Sequence, residues 1–184
     1  MPVNHTILVK AQCKFKGKNG RCKRMTVLTH PYCARHTREV QGVYVAKSTI
    51  KMAGLGLFAA KVFKKGETVA EYAGERISTE KYNRRYAKED YGAYGMSVNR
   101  NLVIDARKTS SGIGRYVCDY SGSGKKPNVE YLEEKKKIHI VATRKILPGE
   151  EFLVDYGDEI RIAMGIQPAK KKKSIKKRNK VKAK

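Results

Sequence analysis

Apolar residues in this chain gather in short alternating runs and never in a long helical stripe. Val43-Tyr44-Val45, Glu67-Thr68-Val69-Ala70-Glu71-Tyr72, Leu102-Val103-Ile104, Ile138-His139-Ile140-Val141-Ala142 and Glu151-Phe152-Leu153-Val154 are rich in β-branched and aromatic side chains, with Gly or Pro between them. Side chains alternate faces along a strand, so these runs predict brief strands with one buried face. Only Ser78 to Asp90 reads as a helix, with Ser78-Thr79-Glu80-Lys81 as its capped start. The expected fold is mostly β with few short helices. Two stretches fall outside the pattern. Residues 10–38 show no sustained period of two or 3.6, and the segment after Pro168 has too few apolar residues to build a core. Three zones follow: 10–38, 43–166 and a Lys-rich tail over 167–184 expected to be disordered when free.

Charge sharpens that division. Across 184 residues, 41 Lys and Arg face 17 Asp and Glu, a net charge of +24. Residues 1–46 hold nine basic groups and one acid, residues 47–167 hold 22 and 16, and residues 168–184 hold ten and none. The middle can fold as an ordinary globule, while the ends suit a polyanion such as nucleic acid. No apolar run approaches the ~20 residues that span a bilayer, so no membrane partner is expected. The first residues lack a signal-peptide core with a small-residue cleavage site, so secretion is not expected.

Three of the four cysteines crowd into the first zone. Cys13, Cys22, Cys33 and His36 fall as C-x8-C-x10-C-x2-H, with His30 as a spare imidazole. Three thiolates and one imidazole suit tetrahedral zinc, and a zone this poor in apolar residues needs such a staple. The alternative is unrelated reduced thiols on a floppy arm. On the zinc reading, Lys18, Arg21, Lys23 and Arg24 lie on a knuckle whose charge faces phosphate. The spacing also resembles small three-cysteine, one-histidine knuckles of some nuclear proteins.

Four stretches of the middle zone occur in a telling order. They are Ala53-Gly54-Leu55-Gly56-Leu57-Phe58; Glu71-Tyr72-Ala73-Gly74-Glu75; Ile104-Asp105-Ala106 with Gly114-Arg115-Tyr116-Val117-Cys118-Asp119 and Pro127-Asn128; and Pro148-Gly149-Glu150-Glu151-Phe152-Leu153-Val154-Asp155-Tyr156-Gly157. Together they resemble the SET domain, the family of S-adenosylmethionine-dependent protein lysine methyltransferases. The resemblance implies a β-fold of small sheets with a threaded, pseudoknot crossing. It implies cofactor contacts from Ala53, Gly54, Leu55, Gly56, Tyr94, Arg115, Cys118 and Asp119. Tyr156 matches the family's catalytic tyrosine, and Tyr72 and Tyr131 match tyrosines that line its lysine channel.

The chain departs from the family in two places. Cys118-Asp119 stands where the family has Asn-His, and a thiol is a poor substitute for an amide that both donates and accepts. No cysteine follows Cys118, so no C-terminal zinc module closes the channel, which leaves Ile160, Ile162 or Met164, a partner or the substrate. The insert from Ser121 to Lys126 reads as a flexible loop.

A basic peptide substrate also calls for an acidic groove, and Glu71, Glu75, Glu150, Glu151, Asp158 and Glu159 sit in the motifs near the implied site. The leading expectation is a lysine methyltransferase that acts on a histone or other basic protein, in the nucleus or a viral chromatin compartment. Its basic knuckle and tail would grip DNA or the nucleosome. The rival is a catalytically degenerate SET-fold zinc-knuckle protein that binds chromatin or nucleic acid.

Overall fold

The computed structural model describes residues 7–88 and 94–165. The Lys-rich tail and the far end of the expected helix, residues 89 and 90, lie outside them.

Four two-residue strands open the chain: β1 (Ala11–Gln12), β2 (Lys16–Gly17), β3 (Gly20–Arg21) and β4 (Met25–Thr26). β2 pairs with β3 inside the β1 and β4 pair, giving two nested antiparallel hairpins. Pairs this short cannot stand alone. A single turn, α1 (Ala34–His36), runs into a π turn over Thr37–Gln41, which Gly42 ends in the left-handed region at φ 70°. The buried Thr37 hydroxyl donates to the carbonyls of Thr29 and Tyr32, tying this turn back to the hairpins.

The rest is the expected set of small sheets. β5 (Val43–Lys47) pairs antiparallel with β6 (Leu55–Ala59). Next come β7 (Thr68–Glu71), β8 (Glu75–Ser78), α2 (Thr79–Arg85), β9 (Gly95–Asn99) and β10 (Leu102–Asp105). β8 and β9 flank β10 in one sheet. β11 (Cys118–Asp119), β12 (Val129–Glu134), β13 (Lys137–Ala142), β14 (Leu153–Val154) and α3 (Asp158–Ala163) complete the described chain. β13 lies between β12 and β7, and β11 runs parallel to β14. The inward faces of these sheets share one core, with Leu57, Ile104, Ile140, Ile146 and Phe152 almost fully buried. Phe63 meets Phe152 edge to face, with ring centroids 5.4 Å apart.

Each run read as a strand from its alternation is a strand, or contributes to one. β8 and β12 escaped that reading because their solvent faces carry charge and their alternation is broken, and β9 because Met96 and Val98 are its only large apolar residues. The tight turn from β12 to β13 places Lys135 and Lys136 at φ 50° and 62°, values that usually call for Asn or Gly. α2 starts where expected, with the Ser78 hydroxyl accepting from the Lys81 amide at 3.1 Å. It stops sooner, at Arg85, because Tyr86 leaves helical geometry and turns its hydroxyl to Asp105 at 2.7 Å. α1 and α3 have no apolar stripe and were not anticipated.

The backbone comes close to its neighbours in the core at the buried Gly114. A Cβ there would lie 2.6 Å from the Glu71 carbonyl and 3.0 Å from Ile140 Cδ1. Gly114→Ala should therefore force β7 away from residues 113–116 and destabilise the domain by about 1–3 kcal/mol. A thermal or urea melt measures this; an unchanged midpoint would contradict the close approach.

Candidate functional site

The site is organised by the crossing of two chain segments. Parallel pairing of β11 and β14 sets Cys118 beside Leu153 and Asp119 beside Val154. Two residues of parallel ladder are weak, and side chains reinforce them. The buried Asn128 amide donates to the Glu151 carbonyl at 2.8 Å, and its oxygen accepts from the Leu153 amide at 2.8 Å. Asp119 accepts from the Tyr156 amide at 2.8 Å and from the Ser121 amide at 2.9 Å. The segment from Ser121 is thus a hydrogen-bonded turn, with Lys125 donating to Ser123, and not the loose loop its Ser-Gly composition suggested.

Next to this crossing stand the three tyrosines. Tyr72 follows β7, Tyr131 lies on β12, and their rings meet edge to face at 5.7 Å. Tyr156 follows β14, and its hydroxyl donates to the Val117 carbonyl at 2.7 Å. The Tyr72 hydroxyl donates to the Tyr94 carbonyl at 3.0 Å. Burial raises all three hydroxyls above the ordinary tyrosine value; for Tyr156, nearby Tyr131, Cys118, Tyr72 and Asp119 push further the same way. They are therefore neutral at physiological pH. With their protons directed to carbonyls, the oxygens of Tyr72 and Tyr156 retain lone pairs that can accept from an amine. A cavity of about 390 Å³ opens beside Tyr131, bordered by Pro127, Val129, Glu130, Val154 and Asp155.

The Ala53 to Gly56 segment lies on the other side of the crossing. Ala53, Gly54 and Leu55 are exposed, so the segment presents an open backbone ledge. Gly56 is buried beneath it, and a Cβ there would fall 2.2 Å from Glu151 Oε1. Glu151 is 3% exposed; it accepts from the Ser48 hydroxyl at 2.6 Å and from the Thr49 amide at 2.9 Å and hydroxyl. One carboxylate thus fixes the turn that leads into the ledge. Cys118 touches the ledge directly, its thiol donating to the Leu55 carbonyl at 3.5 Å. Burial pushes that thiol up to about 12 against an opposing pull from the Ser48 hydroxyl, and the nearby Glu151 carboxylate adds to the rise. Arg115 is buried and donates to the carbonyls of Ala106 and Arg107 at 2.8 and 3.0 Å. Its guanidinium lies 4.1 Å from the Tyr94 ring centroid, so it fixes the ring of another implied cofactor residue.

Sequence reasoning missed the partner of Asp119. Arg161 of α3 is 2% exposed and grips Asp119 with Nε and Nη2, both at 3.0 Å. The pair holds the Asp119 carboxyl below its ordinary value although burial opposes this. A faint signal existed, since Arg161 follows Asp158 at helical spacing. Glu151 was read as a groove acid, and its burial was not visible from the motif.

Five of the six acids named for the groove have partners within the chain. Glu71 pairs with Lys137 at 3.6 Å, Glu75 with Arg85 at 2.9 Å, Glu150 with Arg144 at 2.6 Å and Asp158 with Arg161 at 3.1 Å. Glu151 is consumed by Ser48 and Thr49. These acids hold elements together, and their basic partners come from α2, α3, the start of β13 and the residues just past its end.

The N-terminal cluster forms a separate centre. The ligand atoms of Cys13, Cys22, Cys33 and His36 all lie within 4.8 Å of one another. His36 Nδ1 is 3.5 Å from Cys13 Sγ and 3.4 Å from Cys33 Sγ. A tetrahedral zinc bound at ordinary sulfur and nitrogen distances puts those atoms about 3.5 Å apart, so the donor set fits that ion. His36 Nε2 faces Glu39 at 3.7 Å, and Phe15 stacks on the imidazole at 3.8 Å, which fixes the ring. Burial raises the Cys13 thiol, but the backbone amides of Cys33 and Phe15 and the His36 ring outweigh it and bring it down to about 7.

The SET domain family model matches residues 54–157. Histone-lysine N-methyltransferase 2D of Homo sapiens is 37% identical over 128 residues, which is 68% of this chain and 2% of that protein. Histone-lysine N-methyltransferase trithorax of Drosophila melanogaster is 34% identical over 127 residues, 66% of this chain and 3% of that protein. The chain therefore spans only a few hundredths of the length of these relatives. Among solved structures, ctPRC2 in an autoinhibited conformation bound to S-adenosylmethionine superposes with a TM-score of 0.54 at 28% identity. That match covers 64% of this chain and 15% of the other.

Two outcomes are expected. Purified protein should carry one zinc per chain, and a strong chelator should release it and unfold the 10–38 segment, which metal analysis and circular dichroism can follow. Cys118, buried with its thiol value near 12, should resist iodoacetamide at pH 8 in the folded protein. Alkylation of Cys118 at the rate of a free thiol would contradict that burial.

Proposed function

From the premise that the chain belongs to the SET-domain family, we propose that it is an S-adenosylmethionine-dependent protein lysine N-methyltransferase acting on a chromatin lysine, most simply of a histone. The observation that carries this reading is the meeting of Tyr72, Tyr131 and Tyr156 at the crossing of β11 and β14, with the Ala53 to Gly56 ledge touching Cys118 on the other side. The bare ledge, with the Tyr94 ring held flat by Arg115, fits a ligand approached by backbone and an aromatic face. Ala53, Gly54, Leu55, Gly56, Tyr94, Arg115, Cys118 and Asp119 are its proposed border, Arg115 and Asp119 by holding their neighbours. When bound, the cofactor supplies a methyl group on a positive sulfonium.

The chain's own residues then orient the amine. Methyl transfer from sulfur to nitrogen is an in-line displacement, so alignment supplies much of the acceleration. A lysine entering between the tyrosines loses hydration and nears a positive charge, and both lower its pKa toward the neutral amine. The oxygens of Tyr72 and Tyr156 accept its N–H groups and aim the lone pair away from them. Because burial keeps these hydroxyls protonated, no tyrosinate removes the proton, which leaves through water. The rim at Glu130 and Asp155 carries the carboxylates that face an approaching cation.

The ends of the chain supply location. Around the β2 and β3 hairpin, Lys14, Lys16, Lys18, Arg21, Lys23 and Arg24 are exposed, and zinc held by Cys13, Cys22, Cys33 and His36 would fix that hairpin. With the ten basic residues of 168–184, this surface is proposed to bind nucleosomal DNA in a nuclear or viral chromatin compartment.

Incubation with methyl-labelled S-adenosylmethionine and nucleosomes tests the reading. Wild type should transfer label to histone, and Tyr156→Phe should lower turnover about tenfold to a hundredfold. Cys118→Asn should tighten cofactor binding. A wild type that binds no cofactor while Cys118→Asn gains both binding and transfer would instead establish the degenerate reading.

A further inference from the structure

Asp119 replaces a neutral family residue at the crossing, and its surroundings show what a charge there requires. Its Oδ1 accepts from the Ser121 amide at 2.9 Å and Arg161 Nε at 3.0 Å; Oδ2 accepts from the Tyr156 amide at 2.8 Å and Arg161 Nη2 at 3.0 Å. Both oxygens are doubly occupied, so the carboxylate is ionised and cannot rotate. The guanidinium is equally occupied. Nη1 reaches Asp158 at 3.1 Å, Nη2 also meets Asp155, and the Tyr120 ring lies 5.1 Å away. One cation thus joins the crossing at 119, the residue before Tyr156, and the first turn of α3.

No apolar contact could take over this role. Ile160 and Ile162 of α3 are 49% and 65% exposed, so the helix is not seated by an apolar face. Arg161 is the buried side chain of α3. Tyr156 is fixed at two points, its amide on Asp119 and its hydroxyl on the Val117 carbonyl at 2.7 Å. One of these two depends on the orientation of a carboxylate that Arg161 holds.

We propose that Arg161 is a positioning residue, whose fork on Asp119 fixes the backbone of Tyr156 and thereby the aim of its hydroxyl. The inference rests on the proposed function for the role of Tyr156 in transfer, and on geometry alone for its placement. Removing the cation leaves a buried carboxylate without its counter-charge, the most damaging way to break a buried pair. The carboxylate then draws in water or a proton and releases the Tyr156 amide. An asparagine at 119 keeps an oxygen for that amide and carries no charge, so it should tolerate loss of Arg161.

The test uses the full chain and four variants: Arg161→Met, Arg161→Lys, Asp119→Asn and the Arg161→Met/Asp119→Asn double. Two quantities are read, hydrogen exchange at the Tyr156 amide by NMR and steady-state methyl transfer with separate KM values for peptide and cofactor. Arg161→Met should speed Tyr156 exchange and lower kcat by about 100-fold, with peptide KM within about threefold of wild type. The double variant should recover most of both losses. Arg161→Lys keeps the charge without the fork; it should fold and still lower kcat by about tenfold. Wild-type exchange and kcat in Arg161→Lys would overturn the proposal, as would a double variant no better than Arg161→Met. The two readings fail separately. A wild type with no transfer counts against the function, whereas exchange at Tyr156 reads the lock without any turnover.

Discussion

The structure depends on a parallel pairing of only two residues, Cys118 and Asp119 against Leu153 and Val154. So short a ladder between segments so distant in sequence contributes little to its own closure, because loop entropy must be met before the contact forms. Polar side chains make up the difference. Asn128 bonds one segment through both ends of its amide, and Asp119 reaches across to the amide of Tyr156. Both are nearly inaccessible to solvent. Hydrogen bonds are directional where apolar packing is not, and a site that aligns three atoms needs direction more than it needs burial.

The same logic runs through the rest of the site. Glu151 fixes the turn before the glycine ledge, Arg115 fixes Tyr94, and Arg161 fixes Asp119. Each is a buried charged side chain with its partners supplied. Such groups add little net stability over an apolar replacement, since desolvation offsets much of their attraction. What they add is a single arrangement. A core made only of Leu57, Ile104 and Ile140 would leave the tyrosines more freedom to shift.

Much of this was legible in the sequence, for physical reasons that also explain the gaps. Period-two runs report strands buried on one face, and β5, β7, β10 and β13 were found that way. β12 was not, because its Glu130, Glu133 and Glu134 face water and its neighbours are lysines. The cysteine spacing indicated a metal centre because ligands must come together whatever the loops between them do. Tyr72, Tyr131 and Tyr156 were marked by the resemblance of the ordered motifs to the SET domain. The partners of the acids were not legible. Proximity to a motif does not reveal whether a carboxylate meets a substrate or a lysine on the next turn, and for Glu75 and Glu150 it was Arg85 and Arg144. Arg161 stayed hidden because one basic residue after a run of acids has the composition of an exposed surface.

The pairing of those acids bears on how a basic substrate could reach the site. With most carboxylates of the middle region engaged internally, attraction for a lysine-rich peptide falls mainly to Glu130 and Asp155 at the cavity rim, and Asp155 is shared with Arg161. The two ends of the chain meanwhile carry 19 basic residues against one acid, and they would repel such a peptide at low salt. A polyanion that binds both removes the conflict. On the proposed reading, DNA of the nucleosome neutralises the knuckle and the tail while holding the histone nearby, so the field that opposes a free peptide favours the assembled substrate. On that reading the net charge of +24 becomes a filter for context, and the crossing with its three tyrosines would be left with geometry alone to decide which amine is methylated.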